Sequence, residues 1–376
     1  MKIIKKYLLF AFLVLSVPAV ESAQERKLVP EPQYIVVDSK DNIFVTLKYG
    51  LMKISPDGVM TDLSKQGRDI DRSWRNLIID SKDDLYANEN GGTAVWKITV
   101  SADNKASVSL FAGQQYGYKL EDGTLASAGF NVIKLMTIDR EDNIYVTSSY
   151  EKIKETIGTN YVTDSYYLAD RNSPKPKYDK ASVPRFSVIR KVAGGKVTTL
   201  KTPDGKFILP HDIYSMTTDR DGNIIYAAAG FARFIGKIDL ASGAITSIAG
   251  QPYKRQWCPV YTQGDASKAE FVDPANAIIT NNKGEILFTD QRINRVIKIA
   301  NGKVSTFAGG NIIDPCSQNI AGRSQEGNRD GKALTALFNF PNGMAYDSKG
   351  NLFIADMYNH SIRKLSSDGT VTTFAK

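Results

Sequence analysis

Residues 338–376 read FNFPNGMAYDSKGNLFIADMYNHSIRKLSSDGTVTTFAK and form one complete unit of four short strands. Phe338 to Tyr346 is an apolar run, and Asp347-Ser348-Lys349-Gly350-Asn351 is a turn. Leu352 to Ala355 is a second apolar run, and Ser361 to Leu365 alternates as a third. Ser367-Asp368-Gly369 turns again, and Val371 to Phe374 alternates as a fourth. Short alternating runs joined by Asp/Gly/Asn turns predict an antiparallel meander. Such a sheet has two apolar faces, so it must pack against copies of itself.

Five more copies precede it. The first turn recurs as Asp38-Ser39-Lys40-Asp41-Asn42, Asp80-Ser81-Lys82-Asp83-Asp84, Asp139-Arg140-Glu141-Asp142-Asn143, Asp219-Arg220-Asp221-Gly222-Asn223 and, weakened, Asn281-Asn282-Lys283-Gly284-Glu285. An apolar second strand follows each time. The third strand carries a lysine in every copy: Lys53, Lys97, Lys191, Lys237, Lys298 and Lys364. The fourth ends in a shared phrase, as in Phe111-Ala112-Gly113, Ile248-Ala249-Gly250 and Phe307-Ala308-Gly309. Six such units in tandem predict an all-β fold, a six-bladed β-propeller of four-stranded antiparallel blades. The blades fall at about 33–65, 74–114, 130–201, 211–251, 271–310 and 338–376, all in a single domain over 24–376. No strand exchange between the termini is evident, although residues 25–30 offer one candidate segment.

The phrase Asp356-Met357-Tyr358-Asn359-His360-Ser361-Ile362-Arg363-Lys364 resembles the second-to-third-strand phrase of NHL-repeat propellers. The lead-in from Asp330-Gly331 to Phe338-Asn339-Phe340-Pro341-Asn342-Gly343 resembles them too. Blade 5 repeats the phrase in part, with Ile293 where the family's Asn would fall. The resemblance implies a six-bladed propeller of exported bacterial type and leaves the ligand open. Three loops share a second signature, an Asp/Gly pair followed by Ala and Phe: Asp122-Gly123, Ala128, Phe130; Gly264-Asp265, Ala269, Phe271; Asp330-Gly331, Ala336, Phe338. A structural role is expected, with Gly turning at positive φ, Ala allowing close approach and Phe plugging the gap between blades.

The 376 residues are 42% hydrophobic and 23% charged, a globular composition. Lys2, Lys5 and Lys6 precede the apolar run Tyr7 to Val17, and small residues follow up to Ala23. Residues 1–23 are therefore expected to be a signal peptide, giving a soluble protein of the periplasm, the cell surface or the medium. No later run approaches the length of a membrane span. Losing this leader takes the formal charge from +8 to +6. Export makes nucleic acid an unexpected partner, and the six repeated lysines are spread round the ring rather than gathered into a patch. Their stems are expected to lie on the sheets with the ammonium groups in water. Cys258 and Cys316 fall in loops of one face; in an oxidising compartment a disulfide is expected, the alternative being two separate thiols.

Strand order puts the fourth-to-first and second-to-third connections on one face. Nearly all extra residues lie there: 114–129, 202–209, 251–270, 310–337 and an insertion at 148–185 in blade 3. Long loops concentrate function. The insertion carries Tyr150, Tyr161, Tyr166, Tyr167 and Tyr178, suited either to recognition or to covering the propeller. Tyr253, Arg255 and Trp257 can stack on a sugar or grip an acidic ligand, or Trp257 can simply pack beside Cys258. Arg75, Asn76, Lys134, His211, Asp212, Asn276 and Asn342 begin the inner strands and are the candidate ring at the channel mouth.

Catalytic chemistry is sparse. His211 and His360 are the only histidines, too few for a histidine-rich zinc site, and no Gly-x-Ser-x-Gly elbow occurs. His360 is expected to make a structural hydrogen bond. Asp219-x-Asp221-x-Asn223 has Ile224 where a calcium loop needs Gly, so it is expected to be a turn. No catalytic residue, cofactor or metal is expected, calcium being the one ion left open through Glu89, Asn90 and Asn276. The leading expectation is a monomeric binding module for a protein or glycan. The alternative is a calcium- or zinc-dependent hydrolase or lyase like the lactonase and strictosidine-synthase-like propellers.

Overall fold

A computed structural model describes residues 29–149, 161–162, 187–210, 213–228, 233–251, 261–274, 276–310 and 326–376. Each of the six repeats folds into an antiparallel sheet whose strands follow one another in chain order from the axis outwards. The innermost strands are Ile35–Val37, Trp74–Ile79, Val132–Ile138, Ile213–Thr218, Ile278–Thr280 and Pro341–Tyr346. All six line one central channel.

The two apolar faces of each sheet are used as the sequence predicts. The described core falls into six clusters, one between each pair of neighbouring blades, including blades 6 and 1. Phe130, Phe271 and Phe338 plug three of these gaps and are almost completely buried, as are Ala128, Ala269 and Ala336. The glycine of the fourth-strand phrase makes the plug possible: a Cβ on Gly113 would lie 2.7 Å from the Phe130 ring.

The Asp-Gly loops do more than turn. Gly123–Thr124, Gly264–Asp265 and Gly331–Lys332 each add a short fifth strand to the outer edge of blades 3, 5 and 6. This corrects the uniform four-stranded expectation for those blades, and it protects an edge that would otherwise expose unpaired backbone. Gly264 and Gly331 take positive φ as expected. Gly123 does not; its Cβ would instead strike Ser127.

A buried arginine missed in the sequence anchors two of these loops in the same way. Arg363 donates to the carbonyls of Leu337 and Arg329 and to Asp330 Oδ1, at 2.8, 3.0 and 2.6 Å. Arg190 donates to the carbonyls of Gly129 and Glu121 and to Asp122 Oδ1, at 2.7, 2.7 and 2.9 Å. Both guanidinium groups lie over the plug rings, Phe338 and Phe130.

All six repeated turns are Asx turns. The side chain of Asp38, Asp80, Asp139, Asp219, Asn281 or Asp347 accepts from the amides two and four residues on. Asp219 is thus a turn residue, and it also pairs with Lys237 at 2.8 Å. The six lysines stand directly across from the second strand's second residue: Phe44, Tyr86, Tyr145, Ile225, Leu287 and Phe353. Where that residue is aromatic the ammonium lies 5.7–5.9 Å from its ring centroid. A cross-strand cation–ring pair accounts for the lysine in those four blades, while Lys237 and Lys298 pair with Asp219 and Glu285.

Four contacts seal blade 6 to blade 1 without an exchanged strand among the described residues. Val29 is buried in their shared cluster. The Gly343 amide donates to the Gln33 carbonyl at 2.7 Å, and His360 Nδ1 accepts from the Glu31 amide at 3.3 Å, the structural role expected of that histidine. On the opposite face Ser348 donates to Asp41 through both its amide and its hydroxyl.

Candidate functional site

The inner strands do not run regularly to the mouth of the channel. Register shifts interrupt them between Arg75 and Leu77, Ile133 and Leu135, Ile213 and Ser215, and Pro341 and Met344. Such bulges re-aim side chains at a rim. Buried second-strand threonines support the same region, with Thr46, Thr147 and Thr289 accepting the amides of Tyr34, Leu135 and Ala277.

At this mouth lies a cavity of about 440 Å³. Arg75, Asn276 and Asn342 line it, so the structure brings together three residues of the predicted ring. Arg75 is exposed and donates to Asn90 Oδ1 at 3.2 Å. Asn342 is almost buried, and its Oδ1 has no hydrogen-bond partner. Asn276 lines both the mouth and the channel below it.

Two of the predicted residues do something else. Asn76 is buried and spends its Nδ2 on Asn88 Oδ1 and the Lys134 carbonyl, both at 2.8 Å. It is a tie between blades 2 and 3 and not an open binding group. Lys134 contributes that carbonyl and lines neither the mouth nor the channel. His211, Asp212, Tyr150, Tyr166, Tyr167, Tyr178, Tyr253, Arg255, Trp257, Cys258 and Cys316 lie outside the described residues. Of Tyr161 the backbone is described: Tyr161–Val162 pairs in parallel with Phe207–Ile208.

Sequence reasoning missed other mouth residues. Glu31 and Lys48 form an ion pair at 3.8 Å on its wall, beside Tyr49. Phe340 lines it as well and stacks on Tyr358 with centroids 4.7 Å apart. Among the described lining residues Glu31 is the one carboxylate. Asn90 is shared with a second cleft of about 200 Å³, walled by Glu89, Trp96, Tyr116 and Tyr118. Of the residues left open for calcium, Asn90 and Asn276 line the mouth, whereas Glu89 is paired with Arg72 in the second cleft. No group of three or more His, Cys, Asp or Glu side chains suited to a metal occurs among the described residues.

Exposure is uneven between the two faces. Tyr49, Tyr116, Tyr118, Tyr214 and Tyr358 are 48–74% exposed, and each sits in a long-loop-face connection or at the start of an inner strand. No tyrosine described on the opposite face is exposed to that degree.

The sequence model of the teneurin NHL domain matches residues 238–367. The chain is a six-bladed β-propeller whose residues 238–367 match an NHL domain. The match spans the end of blade 4, blade 5 and the first three strands of blade 6, the part that holds the Asp-Met-Tyr-Asn-His phrase. No curated protein sequence matches this chain.

Solved structures show the same fold. An auxiliary nutrient binding protein from Bacteroides thetaiotaomicron superposes with a TM-score of 0.57 at 14% identity, over 91% of this chain and 69% of that one. An auxiliary nutrient binding protein from Bacteroides ovatus gives 0.58 at 15%, over 92% and 70%. A gluconolactonase from Xanthomonas campestris gives 0.52 at 10%, over 92% and 88%. At these identities the likeness is one of fold.

Proposed function

We propose that this NHL propeller is an exported binding module that engages a protein or glycan through its long-loop face. The observation that carries the reading is the distribution of exposed tyrosine: all five well-exposed tyrosines described belong to long-loop-face connections or inner-strand starts, and Tyr49 lines the polar mouth itself. Tyrosine offers contact area and a hydroxyl with only two side-chain torsions to fix, which suits a recognition surface. The opposite face is made of short Asx turns whose carboxylates are already satisfied by their own backbone. Export rests on the leader-like residues 1–23. No helix among the described residues is long and apolar enough to cross a membrane.

The test compares two double variants for retention of a partner from the cell-envelope fraction. Tyr49→Ala with Arg75→Ala alters the mouth; Lys40→Ala with Lys349→Ala alters the exposed turns opposite. Retention should fall about tenfold, roughly 1.4 kcal/mol, in the first and stay unchanged in the second. Equal retention by both would overturn the reading.

A further inference from the structure

We infer that the cleft beside Asn90 is a subsite for an uncharged sugar ring of a glycan. The inference rests on the long-loop face being the binding face.

The cleft lies between the second-to-third-strand turn of blade 2 and the loop entering blade 3. Its walls are Trp96, Tyr116 and Tyr118, with Glu89, Asn90 and Gln115 between them. Tyr116 and Tyr118 are 74% and 63% exposed. Tyr116 is held at φ +63°, a left-handed conformation that a bulky residue rarely takes. Its turn is closed by the Gly117 amide donating to the Gln114 carbonyl at 3.0 Å. Strain of this kind gathers at ligand-binding segments. Here it props an aromatic ring into solvent, where burial contributes nothing to the fold.

The charges decide between two ligand classes. An aromatic pocket with a carboxylate suits either a cation or a polyol. In this cleft the cation's place is taken. The Arg72 guanidinium lies over the Trp96 ring with its carbon 4.4 Å from the centroid. It is also ion-paired with Glu89. An incoming cation would meet a neutralised carboxylate and a like charge. What remains is apolar ring surface for the C–H face of a sugar, with the exposed amides of Asn90 and Gln115 offering both donor and acceptor to hydroxyls. A cavity of about 200 Å³ holds several waters, which one ring would displace. Asn90 also lines the mouth, so a longer glycan can run from the cleft into it.

The experiment is affinity electrophoresis of the whole protein through native gels that each contain one neutral polysaccharide: starch, dextran, mannan, xylan or β-glucan. At least one should retard the wild type. Tyr116→Ala with Tyr118→Ala should weaken that retardation about tenfold or more, with unchanged melting, since both rings are exposed. Retardation should persist in high salt and in tetramethylammonium chloride. Wild type running alike in every gel, or a double variant retarded like wild type, would overturn the assignment. So would competition by tetramethylammonium, which would mark a cation site. If no polysaccharide retards the wild type but Tyr49→Ala with Arg75→Ala still loses the envelope partner, the glycan assignment fails and the long-loop reading stands. If that loss is absent as well, both fail.

Discussion

Asp356 and Asp290 hold the same place at the end of the second strand in blades 6 and 5, and both are fully buried, yet of the two only Asp356 is hydrogen-bonded to an arginine among the described residues. Asp356 Oδ2 accepts from Arg363 Nη1 and from Asn359 Nδ2, each at 2.8 Å, while Oδ1 accepts the Asn339 amide at 2.7 Å. Burial still pushes the Asp356 carboxyl above its ordinary value, against those hydrogen bonds. In blade 5, Ile293 and Ile297 stand where Asn359 and Arg363 stand in blade 6. Asp290 Oδ2 keeps the amides of Val272 and Asp273, but its Oδ1 has no partner.

Arg363→Met should therefore destabilise the protein severely. It leaves Asp356 buried without its cation and frees the loop at Asp330. A broken buried pair costs about 3–5 kcal/mol. Urea unfolding measures it; a change below about 1 kcal/mol would show that the socket is dispensable.

Asp290 predicts an opposite response. Burial, with the nearby Asp273 charge, raises its carboxyl to about 6. The folded state then holds the proton more tightly than the unfolded state. Stability from this group is full below the unfolded value near 3.8 and is lost as pH rises from about 4 to about 6. Asp290→Asn removes that loss. The variant should match wild type near pH 4 and exceed it at pH 7 by about 2–3 kcal/mol. Parallel stability curves for the two proteins across this range would contradict the argument.

Gly343 tests the ring seam. A Cβ there would lie 2.4 Å from the Gln33 carbonyl oxygen and 2.8 Å from the Ile35 amide, so backbone would have to move. Gly343→Ala should cost about 2 kcal/mol or more and speed hydrogen exchange in the inner strands of blades 1 and 6 first. Uniform exchange across all six blades would mean that this seam is not the weak point.

The fold was legible because its signals are periodic. The Asx turns, the cross-strand lysines and the Phe plugs each recur at fixed places, and repetition separates a structural solution from chance. Arg190 and Arg363 were harder to see, since a basic residue beside the repeated lysine looks like one more surface charge; only the loop that folds over it shows that it is buried. The bulges that aim Arg75 and tie down Asn76 leave no mark in residue type. Tyr116 and Tyr118 lie in the long loop 114–129, where no periodic pattern marks either ring as exposed. Glu31 and Tyr49 reach the mouth from an entering segment and a short turn, neither of which length would pick out.

Site-directed photocrosslinking in living cells tests the central claim most directly. A photoreactive phenylalanine replaces Tyr49, Tyr116 or Tyr358 on the long-loop face, or Lys40, Lys82 or Lys349 on the turns opposite. Covalent adducts with a partner should form from the first three positions and not from the last three. Adducts confined to the turn face, or formed equally from both, would contradict a binding site on the long-loop face.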